Sequence, residues 1–251
     1  MHLKRALLAD EIVVEFLLPK KSSSKVMIFC NGLPSGSEKQ TLLKKMSRLG
    51  YWVFHLRYRG TWESTGNFLD HAPEKDVWDV IEAIKKGFVD VWEKEEYQID
   101  PSEVIVVGAS FGGTVAILST KDPRVQKAIA FSPVVDWTQS TPEEPMDYLE
   151  EVIHSGYAGV YRFSQEDWMR LSRGEFFQPM AEVADLDREK IFVIQAKDDS
   201  VVPFDSVQRF VSVLGCQHLF LRTGGHLSTS LLTSSFRSWR LARQVKHFLH
   251  S

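Results

Sequence analysis

Apolar positions along this chain fall into two textures. Four short stretches, 26–29, 104–107, 128–131 and 191–194, are apolar without interruption. A strand with one wet face alternates, so an unbroken run marks a strand covered on both faces, as helices cover a parallel sheet. Between these runs the apolar residues recur at helical spacing. Leu42, Leu43, Met46 and Leu49 share one face, after a capping-box pattern running from Ser37 to Gln40 and before Gly50 as a stop. Pro73 opens a second segment in which Val77, Val80, Ile81, Ile84 and Phe88 follow the 3.6 period. Phe236, Trp239, Ala242, Val245 and Leu249 make a third stripe. Strands alternating with helices predict an α/β fold, a mainly parallel sheet flanked by helices with right-handed crossovers.

The alternation breaks between residues 134 and 187, where no strand pattern is visible and aromatics are dense: Trp137, Tyr148, Tyr157, Tyr161, Phe163, Trp168, Phe176 and Phe177. A connection of that length is functional or a small subdomain. The expected division is a core formed by 1–133 and 188–251, with 134–187 as a helical cap inserted after the strand at 128–131. At helical spacing most such aromatics build the cap's own core.

Composition narrows the function classes. The 251 residues are 43% apolar and 25% charged, with 30 Lys+Arg against 33 Asp+Glu for a formal charge of -3. No basic stripe is present, which argues against nucleic acid as a partner. Cys30 and Cys216 lie on different segments and form neither a disulfide framework nor, with histidines, a metal-binding cluster. The apolar run near the N-terminus is too short for a signal peptide, and no stretch reaches about 18 uninterrupted apolar residues. The expectation is a cytoplasmic, reduced protein without a membrane partner.

The candidate chemistry starts at 104–113, where an apolar strand leads through Gly108, Ser110 and Gly112 into a helical segment. A strand that turns abruptly into a helix strains the residue at the bend and crowds the positions two before and two after it, which glycines satisfy. Ser110 Oγ would stand above the sheet at a helix N-terminus, where free N–H groups and the helix dipole favour an oxyanion. A dinucleotide fingerprint would need glycine at 110, and a phosphate loop would need Lys-Ser/Thr after the last glycine.

A nucleophilic serine needs a base, and the base an orienting acid, in chain order Ser, Asp/Glu, His for this turn type. The strand at 191–194 ends shortly before Asp198 and Asp199, at the edge where open α/β sheets place their sites. Further on, Gly224 and Gly225 precede His226 in a loop free to project its imidazole. The other seven histidines lack such a setting.

With these residues the chain resembles the α/β-hydrolase fold superfamily over about residues 10–250. Arg59, Gly60, Ser64 and Gly66 resemble the R-G-x-x-x-S-x-G segment of its esterase and serine-aminopeptidase-like branch. The stretch ending in Pro203 resembles that branch's D-x-V-V-P, which implies Asp199 as the acid, with Asp198 as runner-up and Asp136 a more distant alternative. The resemblance also implies an oxyanion hole from the N–H of Phe111 and a donor in the loop after the strand at 26–29, where Asn31 and Gly32 stand for the usual His-Gly. Pro34 has no N–H, which leaves Leu33 ahead of Gly32. Arg59 itself reads first as a loop-bracing ion pair.

The function so implied is acyl transfer to water without a cofactor or metal: a serine hydrolase acting on a small to medium carboxylic ester through Ser110, His226 and Asp199. The expected partner is the small-molecule ester, with a homodimer left open. A peptidase would need a charge in the cap for a peptide terminus, which Glu143, Glu144, Asp147, Glu150 or Glu151 could supply. An acyltransferase, lyase or perhydrolase would share the triad, and a binding module would leave it idle.

Overall fold

The computed structural model describes residues 2–36, 39–233 and 239–250. In chain order they form β1 (Lys4–Leu8), β2 (Ile12–Leu17), β3 (Lys25–Cys30), α1 (Gln40–Arg48), β4 (Trp52–Leu56) and α2 (Glu74–Lys86). A two-stranded ribbon follows, β5 (Phe88–Val89) with β6 (Glu96–Tyr97), then β7 (Glu103–Ala109), α3 (Phe111–Ser119) and β8 (Lys127–Phe131). After β8 come α4 (Met146–Gly156) and α5 (Gln165–Ser172), and the chain closes with β9 (Ile191–Ala196), α6 (Phe204–Leu214), β10 (Gln217–Leu221) and α7 (Trp239–His250).

Eight strands make one sheet in the order β1-β2-β4-β3-β7-β8-β9-β10. The pairs β1–β2 and β2–β4 are antiparallel, and every pair from β4 to β10 is parallel. This is the mainly parallel α/β sheet that the unbroken apolar runs predict, and all four runs lie inside β3, β7, β8 and β9. Helices cover both faces. Val77, Ile81, Val115, Ile117 and Phe210, from α2, α3 and α6, belong to one buried cluster, whereas Leu43, Met46, Leu241, Val245 and Phe248, from α1 and α7, belong to the other.

Among the described residues the local readings hold with one adjustment. Pro73 precedes α2, but the helix stops at Lys86, and Gly87 takes a φ of 113°. Phe88 therefore sits in β5, where its ring meets Phe16 and Phe54 at 5.2 and 5.8 Å. A left-handed glycine ends the helix before the fifth residue of the stripe can join it. The capping box lies partly outside the described residues, at Ser37 and Glu38, and the described helix begins at Gln40. Phe236 of the terminal stripe also lies outside them.

The stretch between β8 and β9 contributes no strand to the sheet. It is tied to the loop after β4 by backbone bonds, Trp62 N–H to Val160 O at 2.9 Å and Arg162 N–H to Gly60 O at 2.8 Å. Trp137, Tyr161, Trp168 and Phe177 are buried there, and Phe163 stacks on Trp168 at 5.2 Å, so these aromatics mainly pack on one another and on the core. Tyr148 is an exception, half exposed on the surface.

Candidate active site

β7 stops at Ala109 and α3 starts at Phe111, leaving Ser110 alone at the bend with φ 54° and ψ -124°. Such a φ is strained for a side-chain-bearing residue and persists where the surroundings enforce it. They do so tightly: a Cβ on Gly108 would fall 1.9 Å from Gly112 O, and one on Gly112 would fall 2.5 Å from Cys30 O. The bend is also pinned by the Ser110 N–H, which donates to Phe131 O at 2.9 Å. Ser110 thus stands at the N-terminus of α3, beside the carboxyl ends of β3 and β8.

The loop after β3 lies against this turn, since a Cβ on Gly32 would meet Ser110 Cβ at 3.7 Å. Leu33, Ser110 and Phe111 line one recess of about 40 Å³. Among the described residues, neither the Leu33 nor the Phe111 N–H donates a hydrogen bond within the protein. Asn31 fixes the loop: its Oδ1 meets His55 Nε2 at 2.8 Å and its backbone oxygen accepts from Tyr58 Oη at 2.9 Å. From the other side the Ser35 N–H donates to Tyr161 Oη at 3.1 Å.

Asp199 and His226 meet across the ends of β9 and β10. His226 Nδ1 lies 3.2 Å from Asp199 Oδ1 and 3.1 Å from Oδ2. Asp199 Oδ1 also accepts from the Val201 and Val202 N–H groups, each at 3.0 Å, and Oδ2 accepts from Gln195 Nε2 at 3.0 Å. Burial pushes this carboxyl's pKa up, but His226, the Ser132 hydroxyl and the Val202 N–H outweigh that and hold it below its ordinary value. Asp198 has a different task. It is exposed, and its Oδ1 accepts from the Gly224 and Gly225 N–H groups at 2.8 and 2.9 Å, bracing the loop that presents His226. Asp136 Oδ1 is held by Thr138 and Gln178 and makes no hydrogen bond to a histidine. Among the described residues, Ser110 Oγ and His226 Nε2 have no hydrogen-bond partner. Catalytic hydrogen bonds in a ligand-free site commonly tighten only when substrate arrives.

The model of the prolyl oligopeptidase family matches residues 38–231, well over half of the chain. The chain belongs to that family. It is a serine hydrolase of the α/β-hydrolase fold. Its structure is similar to an esterase of Pyrococcus furiosus, Pf2001, at a TM-score of 0.70 and 17% identity, covering 99% of this chain and 90% of that one. It is also similar to DcsB, solved with a substrate analogue, at 0.72 and 16%, covering 99% and 98%. An acylaminoacyl peptidase of Pyrococcus horikoshii gives 0.62 and 16%, covering 93% of this chain and 38% of the peptidase. At these identities the likeness shows the fold alone. A search of curated proteins finds no match.

Several residues that shape the site in this family member are silent in its sequence. Gln195, fully buried on β9, carries Asp199, and Ser132, fully buried with φ 41°, accepts the Leu227 N–H at 3.0 Å beside His226. Their signal was position alone, a polar residue in an otherwise apolar strand and another directly after one. Arg59 is a brace, as its chemistry suggests: it pairs with Glu11, Asp76 and Asp79 at 2.5, 2.5 and 2.8 Å. Ser64 of the same segment donates to Arg57 O and accepts from the Val13 N–H. Burial pushes the Cys30 thiol far up, so it stays protonated at the end of β3.

Proposed function

We propose that this protein hydrolyses small carboxylic esters through an acyl-enzyme on Ser110. The observation that supports it best is the strained Ser110 set between two uncommitted backbone N–H groups, with a His226–Asp199 pair on adjoining strand ends. Ser110 Oγ attacks the carbonyl carbon as His226 Nε2 takes its proton. The tetrahedral oxyanion is received by the N–H groups of Phe111 and Leu33, worth about 3 kcal/mol for each donor. Collapse of the intermediate returns the proton from His226 to the leaving alkoxide. Water then attacks the acyl-enzyme, gives its proton to His226 and releases the acid with Ser110 restored. Asp199 holds the Nδ1–H tautomer throughout.

The recess beside Ser110, about 40 Å³, has room for a few water-sized groups and so favours a short acyl chain. Leu33, Phe111, Val134, Trp137 and Leu149 make its walls largely apolar. The test is fluorophosphonate labelling with peptide mapping beside a short p-nitrophenyl ester assay, for the parent and Ser110→Ala. A single adduct on Ser110, and ester turnover abolished with the adduct in Ser110→Ala, is expected. Turnover that survives Ser110→Ala would refute the assignment.

A further inference from the structure

The recess that opens on Ser110 is apolar except for a few hydroxyl and amide groups and two carboxylates, Asp136 and Glu144. No lysine, arginine or histidine is among its lining residues. Asp136 Oδ1 is engaged by the Thr138 N–H and hydroxyl and by Gln178 Nε2. The Glu144 carboxylate is half-buried and, among the described residues, makes neither a hydrogen bond nor an ion pair. Its backbone is nonetheless fixed: the Glu144 N–H donates to Thr141 Oγ1 at 3.2 Å, and that hydroxyl donates to Val201 O at 3.3 Å. Glu144 is therefore held over the loop that carries Asp199, facing the recess.

Burial pushes the Glu144 pKa up, the Asp199 carboxylate adds to that, and His226 opposes it. A neutral acyl group entering the recess would strip more water from this unpaired carboxylate, which is unfavourable. A cationic group would instead meet it with a charge-assisted hydrogen bond. The recess is also small, so that cation must sit close to the reacting carbonyl. We propose that Glu144 selects substrates with an ammonium beside that carbonyl, namely esters or amides of short amino acids with a free amine.

This inference rests on the reading of Ser110 as nucleophile, and the experiment separates the two. The probes are the methyl esters of alanine and of 2-methylpropanoic acid, which differ by an ammonium against a methyl group. Hydrolysis is followed by pH-stat at about pH 7, where an α-amino group is still mostly protonated. Glu144→Gln should lower kcat/KM for the alanine ester about tenfold, chiefly through KM, and should not lower it for the 2-methylpropanoate, whose acyl group no longer strips water from a carboxylate. Retained turnover of the neutral ester also reports that the variant is folded. Equal effects on both esters, or none on either, would overturn the proposal while Ser110-dependent turnover of the neutral ester leaves the nucleophile in place. An alanine ester that is not hydrolysed overturns it too, and absence of a fluorophosphonate adduct on Ser110 would then remove the reading beneath it.

Discussion

Replacing Asp199 with asparagine tests the site at its most constrained point. Oδ1 accepts the Val201 and Val202 N–H groups, each at 3.0 Å, so the asparagine carbonyl oxygen must take that place. Its NH2 then occupies the Oδ2 position, 3.1 Å from His226 Nδ1. Two N–H groups cannot face each other, so His226 must turn a lone pair to asparagine and carry its proton on Nε2. In that tautomer Nε2 cannot accept the Ser110 proton, and the negative charge facing the imidazolium is gone as well. The expected loss is about 10⁴ in kcat, the scale known for such a tautomer error in serine-protease triads. Folding should suffer little. Gln195 Oε1 is buried without a partner, and a flip of that amide lets it accept the new NH2. The flip forfeits the 3.3 Å bond from Gln195 Nε2 to Val202 O, about 1 kcal/mol, or a few degrees in Tm. Asp198→Asn is the control, since an amide oxygen can still accept from Gly224 and Gly225, and kcat should stay within about threefold. A stopped p-nitrophenyl acetate assay with thermal melts reads both variants. A loss below about tenfold for Asp199→Asn, or a larger loss for Asp198→Asn, would refute the assignment.

Gly112→Ala would drive a methyl to 2.5 Å from Cys30 O and 2.6 Å from Asn31 O, both backbone atoms, so the loop after β3, proposed to supply an oxyanion donor, must move. We expect kcat/KM to fall at least a hundredfold, roughly the effect of losing one oxyanion donor, with fluorophosphonate labelling slowed in parallel. Arg59→Ala leaves the buried Asp76 carboxylate without its guanidinium partner, and should cost about 3 kcal/mol in denaturant unfolding while kcat changes little. His71 is held above its ordinary pKa, first by its hydrogen bond to Asp76 and also by Asp70, against partial burial. Because the folded pKa exceeds the unfolded one, its contribution is fully present below about pH 6.5 and fades as pH rises through the folded value. The Tm of the parent should therefore decline above neutrality more steeply than that of His71→Gln, and parallel curves would count against the pairing.

What was legible in the sequence divides along a physical line. The central strands β3, β7, β8 and β9 announce themselves because helices cover both faces and exclude polar residues. The antiparallel side of the sheet is quieter. β2 carries Glu15 and β4 carries His55, register neighbours in the sheet, and each interrupts an apolar run. Both are buried because each has a polar partner: Glu15 Oε1 lies 2.9 Å from Arg57 Nη2, and His55 Nε2 lies 2.8 Å from Asn31 Oδ1. A buried ion-paired network looks in sequence like a wet face, because its compensating partner lies 42 residues away.

The same distinction governs the site. Ser110 and its glycines are legible because backbone geometry demands them within five consecutive residues. His226 and Asp199 belong to different strand ends, and their pairing came from chain order and resemblance. Local sequence could not divide the work between Asp198 and Asp199, since both stand at the same strand end. The division comes from direction: consecutive residues in a loop point apart, so Asp199 turns inward to Gln195 and His226 while Asp198 turns outward to the glycine N–H groups. One carboxylate orients the imidazole and its neighbour holds the loop that delivers it. The two adjacent acids are therefore parts of a single positioning device, and the paired asparagine variants measure how its labour is shared.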